Sequence, residues 1–150
     1  KRRTPILSPK QYKEYYKFTF IRNPWARAHS WYKNVMRDKY HRDALGIPED
    51  CSFKQFLFDH PNQWALASQL CWLLDSRGNI SFDFIGRFEN LIEDFAKVCD
   101  DLGIKDKSLP KLLTNGKRTH YPDSYDDEMK DFVARLYKDE IKLFGFEFGE

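Results

Sequence analysis

Residues 18–32 read FTFIRNPWARAHSWY and predict a strand that passes directly into a helix. The first four of these residues are apolar or threonine, which is typical of a short buried strand. Asn23 followed by Pro24 is the N-cap and first-position pair that begins a helix. Unpaired N–H groups at such a helix start attract phosphate or sulfate, and Arg22 stands at the carboxyl end of the strand, where α/β sheets bind ligands. The junction is therefore predicted to hold an anion, with the hydroxyl of Ser30 as a further donor.

The rest of the chain alternates between helical and extended patterns. Helices are predicted at 24–40, 89–102 and 126–144, and a start signal at 52–55 predicts a further short helix. A short helix or turn is predicted at 11–16, and a second strand is predicted at 80–85. This alternation indicates an α/β fold with few parallel strands, flanking helices and a majority of helix. Two strands are too few for an independent sheet, so we expect an upstream segment, a partner or a rearrangement to cover it.

Composition places the chain among globular domains. The 150 residues are 41% hydrophobic and 17% aromatic, which fits one domain over residues 1–150 with an aromatic-rich core. No apolar run approaches the roughly 18 residues of a membrane span, and the first residues lack the apolar core of a signal peptide. Cys51, Cys71 and Cys99 show no metal-binding spacing, so we expect three buried free thiols and no metal.

Charge is distributed unevenly along the chain. Residues 1–42 contain 12 Lys and Arg against two Asp and Glu, a net charge of +10, whereas the remaining residues carry a net charge of −8. A basic first segment fits an anionic nucleotide or an acidic glycan, because clustered cations raise the local concentration of negative ligands. For Lys33, Arg37 and Lys39 taken singly, a solvated helix face is the preferred interpretation.

The residues of the strand–helix junction resemble those of the sulfotransferases that use 3′-phosphoadenosine 5′-phosphosulfate (PAPS), in particular the carbohydrate sulfotransferases. In that family an Arg-Asn-Pro-x-x-Arg-x-x-Ser-x-Tyr stretch binds the 3′-phosphate of the cofactor. The stretch is complete here as Arg22, Asn23, Pro24, Arg27, Ser30 and Tyr32, and segments 82–91 and 137–148 agree with the family in order and spacing. The resemblance implies that Arg22 and Ser30 bind the 3′-phosphate and that Arg27 and Tyr32 support the helix.

One expected element of that family has no counterpart in this sequence. The phosphate loop with a catalytic lysine, which cradles the 5′-phosphosulfate, normally precedes the Arg-Asn-Pro strand by some tens of residues. Residues 1–17 contain no glycine and cannot provide the close backbone approach of such a loop. We therefore expect a partial P-loop-type sulfotransferase fold, truncated at its N-terminus, that is either a fragment of a longer enzyme or a shortened relative.

Further site residues follow from the resemblance. Lys117 and Arg118 lie in a loop similar to the one that closes over the nucleotide, and they would bind the 3′-phosphate; a Gly-turn with two solvated cations is the alternative. His60, with Gln63, resembles a histidine of the acceptor site and would be the general base, since histidine titrates near neutral pH. A helix-terminating His-Pro on the surface is the alternative.

The remaining polar and aromatic residues receive mainly structural interpretations. Glu89 is expected to begin a helix, where the helix dipole favours a carboxylate. Arg87 would face the nucleotide or pair with Glu89. Trp25, Trp31, Trp64 and Trp72 could stack on adenine or a sugar, but core packing is preferred for most of them. His29, His41 and His120 have weaker claims than His60 to a site role.

The family resemblance implies a reaction, while the missing phosphate loop and the basic first segment leave two alternatives to it. The reaction is in-line sulfuryl transfer from PAPS to a hydroxyl or amine of a carbohydrate or similar acceptor. The first alternative is an inactive nucleotide- or glycan-binding module; the second, weaker one is nucleic-acid binding through residues 1–42. The odd cysteine count favours a reducing compartment, hence the cytoplasm, whereas an animal member of the family would face the Golgi lumen.

Overall fold

The computed structural model describes residues 7–110 and 120–150. Within these ranges the helices are α1 Pro9–Glu14, α2 Pro24–Arg37, α3 Lys39–Leu45, α4 Phe53–Asp59, α5 Leu70–Leu73, α6 Leu91–Asp101, α7 Asp127–Leu136 and α8 Lys138–Phe144. The strands are β1 Phe18–Ile21 and β2 Phe84–Arg87, and short 3₁₀ helices cover Trp64–Leu66, Phe88–Asn90 and Tyr121–Ser124. The prediction of a helix-dominated α/β fold with few parallel strands is confirmed.

The two strands form a parallel pair. Phe18 stands opposite Phe84 and Ile21 opposite Arg87. The bounds of β1 agree with the prediction, but the second strand lies four residues later than its predicted start. The carboxyl ends of both strands therefore meet at one edge, which is where Arg22 leaves β1.

The misplaced start of β2 has a local cause. Ile80 forms an isolated antiparallel bridge with Leu74, and the turn between them is held by Asp75, whose carboxylate accepts hydrogen bonds from the N–H groups of Arg77 and Asn79 at 2.8 Å. Ile80 thus belongs to this small hairpin-like turn and is not available to the parallel sheet.

The long helix predicted at 24–40 is two helices. Asp38 has φ −110° and ψ 109°, which is not helical, and its side chain accepts a hydrogen bond from the N–H of His41 at the start of α3. Aspartate favours this N-cap geometry over a helix interior, which explains the break. α3 then ends at Gly46 with φ 65°, a left-handed conformation that glycine adopts without strain.

The helix predicted at 126–144 also divides. The division falls at Tyr137, with φ −113° and ψ 25°. The Tyr137 side chain is 3% exposed, and its hydroxyl donates a 2.7 Å hydrogen bond to the carbonyl of Leu66. Tyr137 therefore anchors the junction of α7 and α8 to the last residue of the first 3₁₀ helix.

The core lies between α2, α4 and α7 and is rich in aromatic side chains. Its buried members include Ile21, Trp25, Ala28, Val35, Phe53, Phe56, Leu57, Leu66, Leu73, Met129, Val133 and Phe146. Cys51 and Cys99 are buried free thiols as predicted, but Cys71 is exposed, because α5 has only one turn and directs Leu73 inward. Among the described residues, no helix has the length and apolar content needed to cross a bilayer.

His29 is a buried titratable residue in this core. It is 7% exposed, its ring packs edge-on against Phe53 with 5.3 Å between centroids, and Nε2 lies 3.2 Å from the hydroxyl oxygen of Ser124. Burial lowers the pKa of His29 below its ordinary value of 6.5, and the nearby cations Lys33 and Arg22 lower it further. Protonation of His29 therefore opposes folding.

Gly86→Ala tests the close approach between the two strands. A Cβ at Gly86 would lie 2.5 and 2.7 Å from two ring carbons of Phe20, its partner in the register. We expect the free energy of unfolding to fall by about 1–3 kcal/mol, measured by chemical denaturation, because the ring must leave its packed position. In a Phe20→Ala background the added cost should be much smaller; an unchanged cost would contradict the steric explanation.

His29→Gln tests the pH dependence of stability. The unfolded chain binds the His29 proton more tightly than the folded chain, so the free energy of unfolding should decrease as the pH falls from about 7 to about 5. His29→Gln should reduce this slope in denaturation series at several pH values. His120→Gln, which removes an exposed histidine, is the control, and an equal slope in wild type and His29→Gln would contradict the assignment.

Candidate functional site

Arg22 is the cation at the end of β1. Its guanidinium carbon lies 4.5 Å from the ring centroid of Phe88, and the side chain is half-buried. Within residues 7–110 and 120–150, no carboxylate forms an ion pair with it, and its Nε is buried without a hydrogen-bond partner. Burial lowers the pKa of Arg22 while Glu89 opposes this shift, and arginine stays charged at neutral pH regardless. The site thus presents a positive charge with unused donors.

The N–H groups at the start of α2 are already used. Asn23 is fully buried, and its Oδ1 accepts from the N–H groups of Trp25 at 3.1 Å and Ala26 at 3.4 Å. The Asn23 N–H donates to Oε1 of Glu89 at 2.9 Å, and the Arg27 N–H donates to the Asn23 carbonyl. The expectation that free N–H groups here would bind an anion is therefore wrong, because the N-cap and Glu89 satisfy them. An anion would have to be held by side chains.

Glu89 lies at a helix start, as expected, and its carboxylate also has a main-chain partner. It lies in the 3₁₀ helix Phe88–Asn90, before α6 begins at Leu91, and its carboxylate bonds to the main chain of Asn23. It therefore joins the end of β2 to the start of α2, beside Arg22.

Ser30 lies on α2 and is half-buried. In the part of the chain that the structure describes, its hydroxyl makes no hydrogen bond. The charge of Arg22 lowers the pKa of His29, which is the residue before Ser30. Ser30 and Arg27 are three residues apart and so share one face of α2.

Arg27 and Tyr32 connect α2 to neighbouring segments. Nη1 of Arg27 donates to the carbonyl of Ala67 at 2.9 Å, and Nη2 lies 3.6 Å from Oε1 of Glu140. The Tyr32 hydroxyl donates to the carbonyl of Cys51 at 3.0 Å. These contacts fix the helix that carries Ser30.

Gln69 and Glu140 were not found from the sequence. The Gln69 side chain bonds to both main-chain groups of Arg22 and to the carboxylate of Glu140, which is fully buried. Burial raises the pKa of Glu140, whereas the hydrogen bonds from Gln69 and the charge of Arg27 oppose the shift. One signal was present: Glu140 interrupts an apolar helical stripe between Tyr137 and Phe144.

The acceptor-site residues of the sequence analysis lie near α4 and α2. His60 follows the last residue of α4, is half-buried, and its ring lies 6.2 Å from that of Phe56. Gln63 accepts a 2.6 Å hydrogen bond from the indole N–H of Trp31. Lys117 and Arg118 lie outside the described residues.

Arg87 is engaged within the fold. Its guanidinium donates to Glu150 and to the carbonyl of Phe144 and lies 4.9 Å from the ring centroid of Phe146, so it does not pair with Glu89.

The four tryptophans separate into two groups. Trp25 is 4% exposed, and Trp31 is half-buried. Trp64 is 75% exposed and Trp72 is 58% exposed, so the prediction of core packing is wrong for these two residues. They lie on the short helices Trp64–Leu66 and α5, whose buried positions are taken by Leu66 and Leu73.

Comparison with known proteins assigns the chain to a family. A family model described as the sulfotransferase family matches residues 2–147. Neither the curated proteins nor the solved structures contain a match. Because the match covers nearly the whole chain, including both strands and the Arg22–Ser30 junction, the protein belongs to the sulfotransferase family.

Proposed function

We propose that this sulfotransferase uses PAPS as its sulfuryl donor and a hydroxyl or amine of a carbohydrate or similar molecule as its acceptor. The observation that carries the proposal is the state of Arg22: a half-buried guanidinium, stacked on Phe88, with an unused buried Nε and no ion-pair partner among the described residues. A desolvated cation of this kind is a strong ligand for phosphate.

In the proposed complex Arg22 and Ser30 bind the 3′-phosphate of the nucleotide. The guanidinium supplies charge and directed N–H donors, and the Ser30 hydroxyl supplies one further donor. Phe88 limits the motion of the guanidinium, since the two lie 4.5 Å apart. Lys117 and Arg118 are proposed as additional ligands on the basis of the family resemblance.

The reaction breaks the bond between sulfur and the phosphate oxygen of PAPS and forms a bond between sulfur and the acceptor oxygen or nitrogen. Adenosine 3′,5′-bisphosphate leaves, and the acceptor proton passes to a base, for which His60 is proposed. Catalysis of such a transfer depends mainly on positioning and charge neutralisation. Arg22 and Ser30 contribute by fixing the nucleotide, at a distance from the transferred group.

Arg22→Ala should weaken binding of adenosine 3′,5′-bisphosphate. A buried, charge-assisted phosphate contact contributes about 2–4 kcal/mol, so we expect the dissociation constant to increase by roughly 30-fold to 1,000-fold in calorimetric titration. Binding of adenosine 5′-monophosphate, which lacks the 3′-phosphate, should change little.

Arg37→Ala is the matched control. Arg37 is an exposed cation at the last position of α2 and bonds to the side chain of Asn34. Its removal changes the net charge equally and should leave the affinity close to that of wild type. An Arg22→Ala protein that binds the bisphosphate as tightly as the wild type would overturn the assignment of the 3′-phosphate site.

A further inference from the structure

The main chain of Arg22 is held by a side chain in place of a strand. The parallel register ends at Ile21 opposite Arg87, so the ladder does not continue to the next residue. Instead, Oε1 of Gln69 accepts from the Arg22 N–H at 2.8 Å, and Nε2 of Gln69 donates to the Arg22 carbonyl at 2.8 Å. One amide group thus bonds to both main-chain groups of the residue that carries the guanidinium.

Glu140 determines which way round this amide lies. Oε2 of Glu140 accepts from Nε2 of Gln69 at 2.9 Å and from the Gln69 main-chain N–H at 3.2 Å. Turning the amide over would bring its oxygen against the carboxylate and its NH₂ against the Arg22 N–H. Both contacts are repulsive, so the carboxylate selects the orientation that bonds to Arg22.

The carboxylate is in turn balanced by Arg27. Glu140 is fully buried, and its Oε1 lies 3.6 Å from Nη2 of Arg27. Burying a carboxylate is costly unless it is paired and hydrogen-bonded. Arg27 follows Arg22 by five residues, so the contacts run from α2 through Glu140 and Gln69 back to the end of β1. The start of α2 and the main chain of Arg22 are therefore fixed to the same buried group on α8.

We infer that Gln69 is a positioning residue for Arg22: held by Glu140, it sets the main-chain geometry from which the guanidinium reaches the 3′-phosphate. This inference rests on the proposed role of Arg22. Gln69 has no contact with the nucleotide in this scheme and acts through Arg22. An error of about 1 Å in the placement of such a group is enough to weaken binding strongly.

Gln69→Met tests the inference. Methionine keeps much of the volume of glutamine but cannot bond to the main chain of Arg22. We expect the affinity for adenosine 3′,5′-bisphosphate to fall at least about tenfold in calorimetric titration, with little change for adenosine 5′-monophosphate. Gln69→Asn is the second variant, because its shorter side chain cannot reach the same two main-chain groups, and it should show the same loss of selectivity.

Gln55→Met is the matched control for a lost amide. Gln55 accepts a hydrogen bond from the N–H of Ser52 at the start of α4. Its replacement also removes a bond between a side-chain amide and the main chain, so it should lower stability. It should leave the affinity for the bisphosphate unchanged.

A double-variant cycle separates positioning from a general structural effect. If Gln69 acts through Arg22, Gln69→Met should cost almost no further affinity in an Arg22→Ala background. If Arg22→Ala loses affinity for the bisphosphate but Gln69→Met or Gln69→Asn does not, the inference is overturned and the proposed function stays intact. Equal losses with and without Arg22 also overturn it. Full affinity in Arg22→Ala itself overturns the proposed site and the inference together.

Discussion

The buried side chain of Asn23 holds together the parts on which the site depends. Its Oδ1 caps α2, its Nδ2 donates to the carbonyl of Glu147 at 2.7 Å, and its main-chain N–H bonds to Glu89. The end of β1, the start of α2, the residues after β2 and the end of the described chain therefore meet at one residue that is fully buried. An unpaired amide in such a place would be strongly destabilising, so the fold depends on each of these contacts.

At this junction, the groups that hold the fold together are different from the group proposed to bind the ligand. The main-chain donors of the helix start are used within the fold, and Arg27 and Arg87 are bound to carbonyls and carboxylates. Arg22 differs, because Gln69 holds its main chain while no carboxylate among the described residues pairs with its guanidinium. Rigid support behind a free functional group reduces the entropy that a ligand must overcome on binding.

Local signals in the sequence predicted local structure well. The apolar run of β1, the Asn-Pro helix start and the Ser52 capping box all involve residues a few positions apart, and the structure contains each of them. The bond between Gln69 and Arg22 and the pairing of Arg27 with Glu140 join residues distant in the chain, and periodicity carries no information about such partners. The helix break at Tyr137 was missed because the apolar pattern continues across it. The break at Asp38 was missed although an aspartate inside a helical segment is a common N-cap signal.

The uneven distribution of charge has a structural explanation that also bears on function. Cations of the basic first segment pair with acidic residues from later in the chain: Lys17 with Asp83, Arg27 with Glu140 and Arg42 with Glu49. Part of the positive charge therefore serves to fold this segment against the acidic remainder and is not presented as one continuous basic surface. Nucleic-acid binding usually requires such a surface, with many cations facing the phosphates. The guanidinium of Arg22, which is half-buried and pairs with no carboxylate among the residues described, is better suited to one discrete phosphate group.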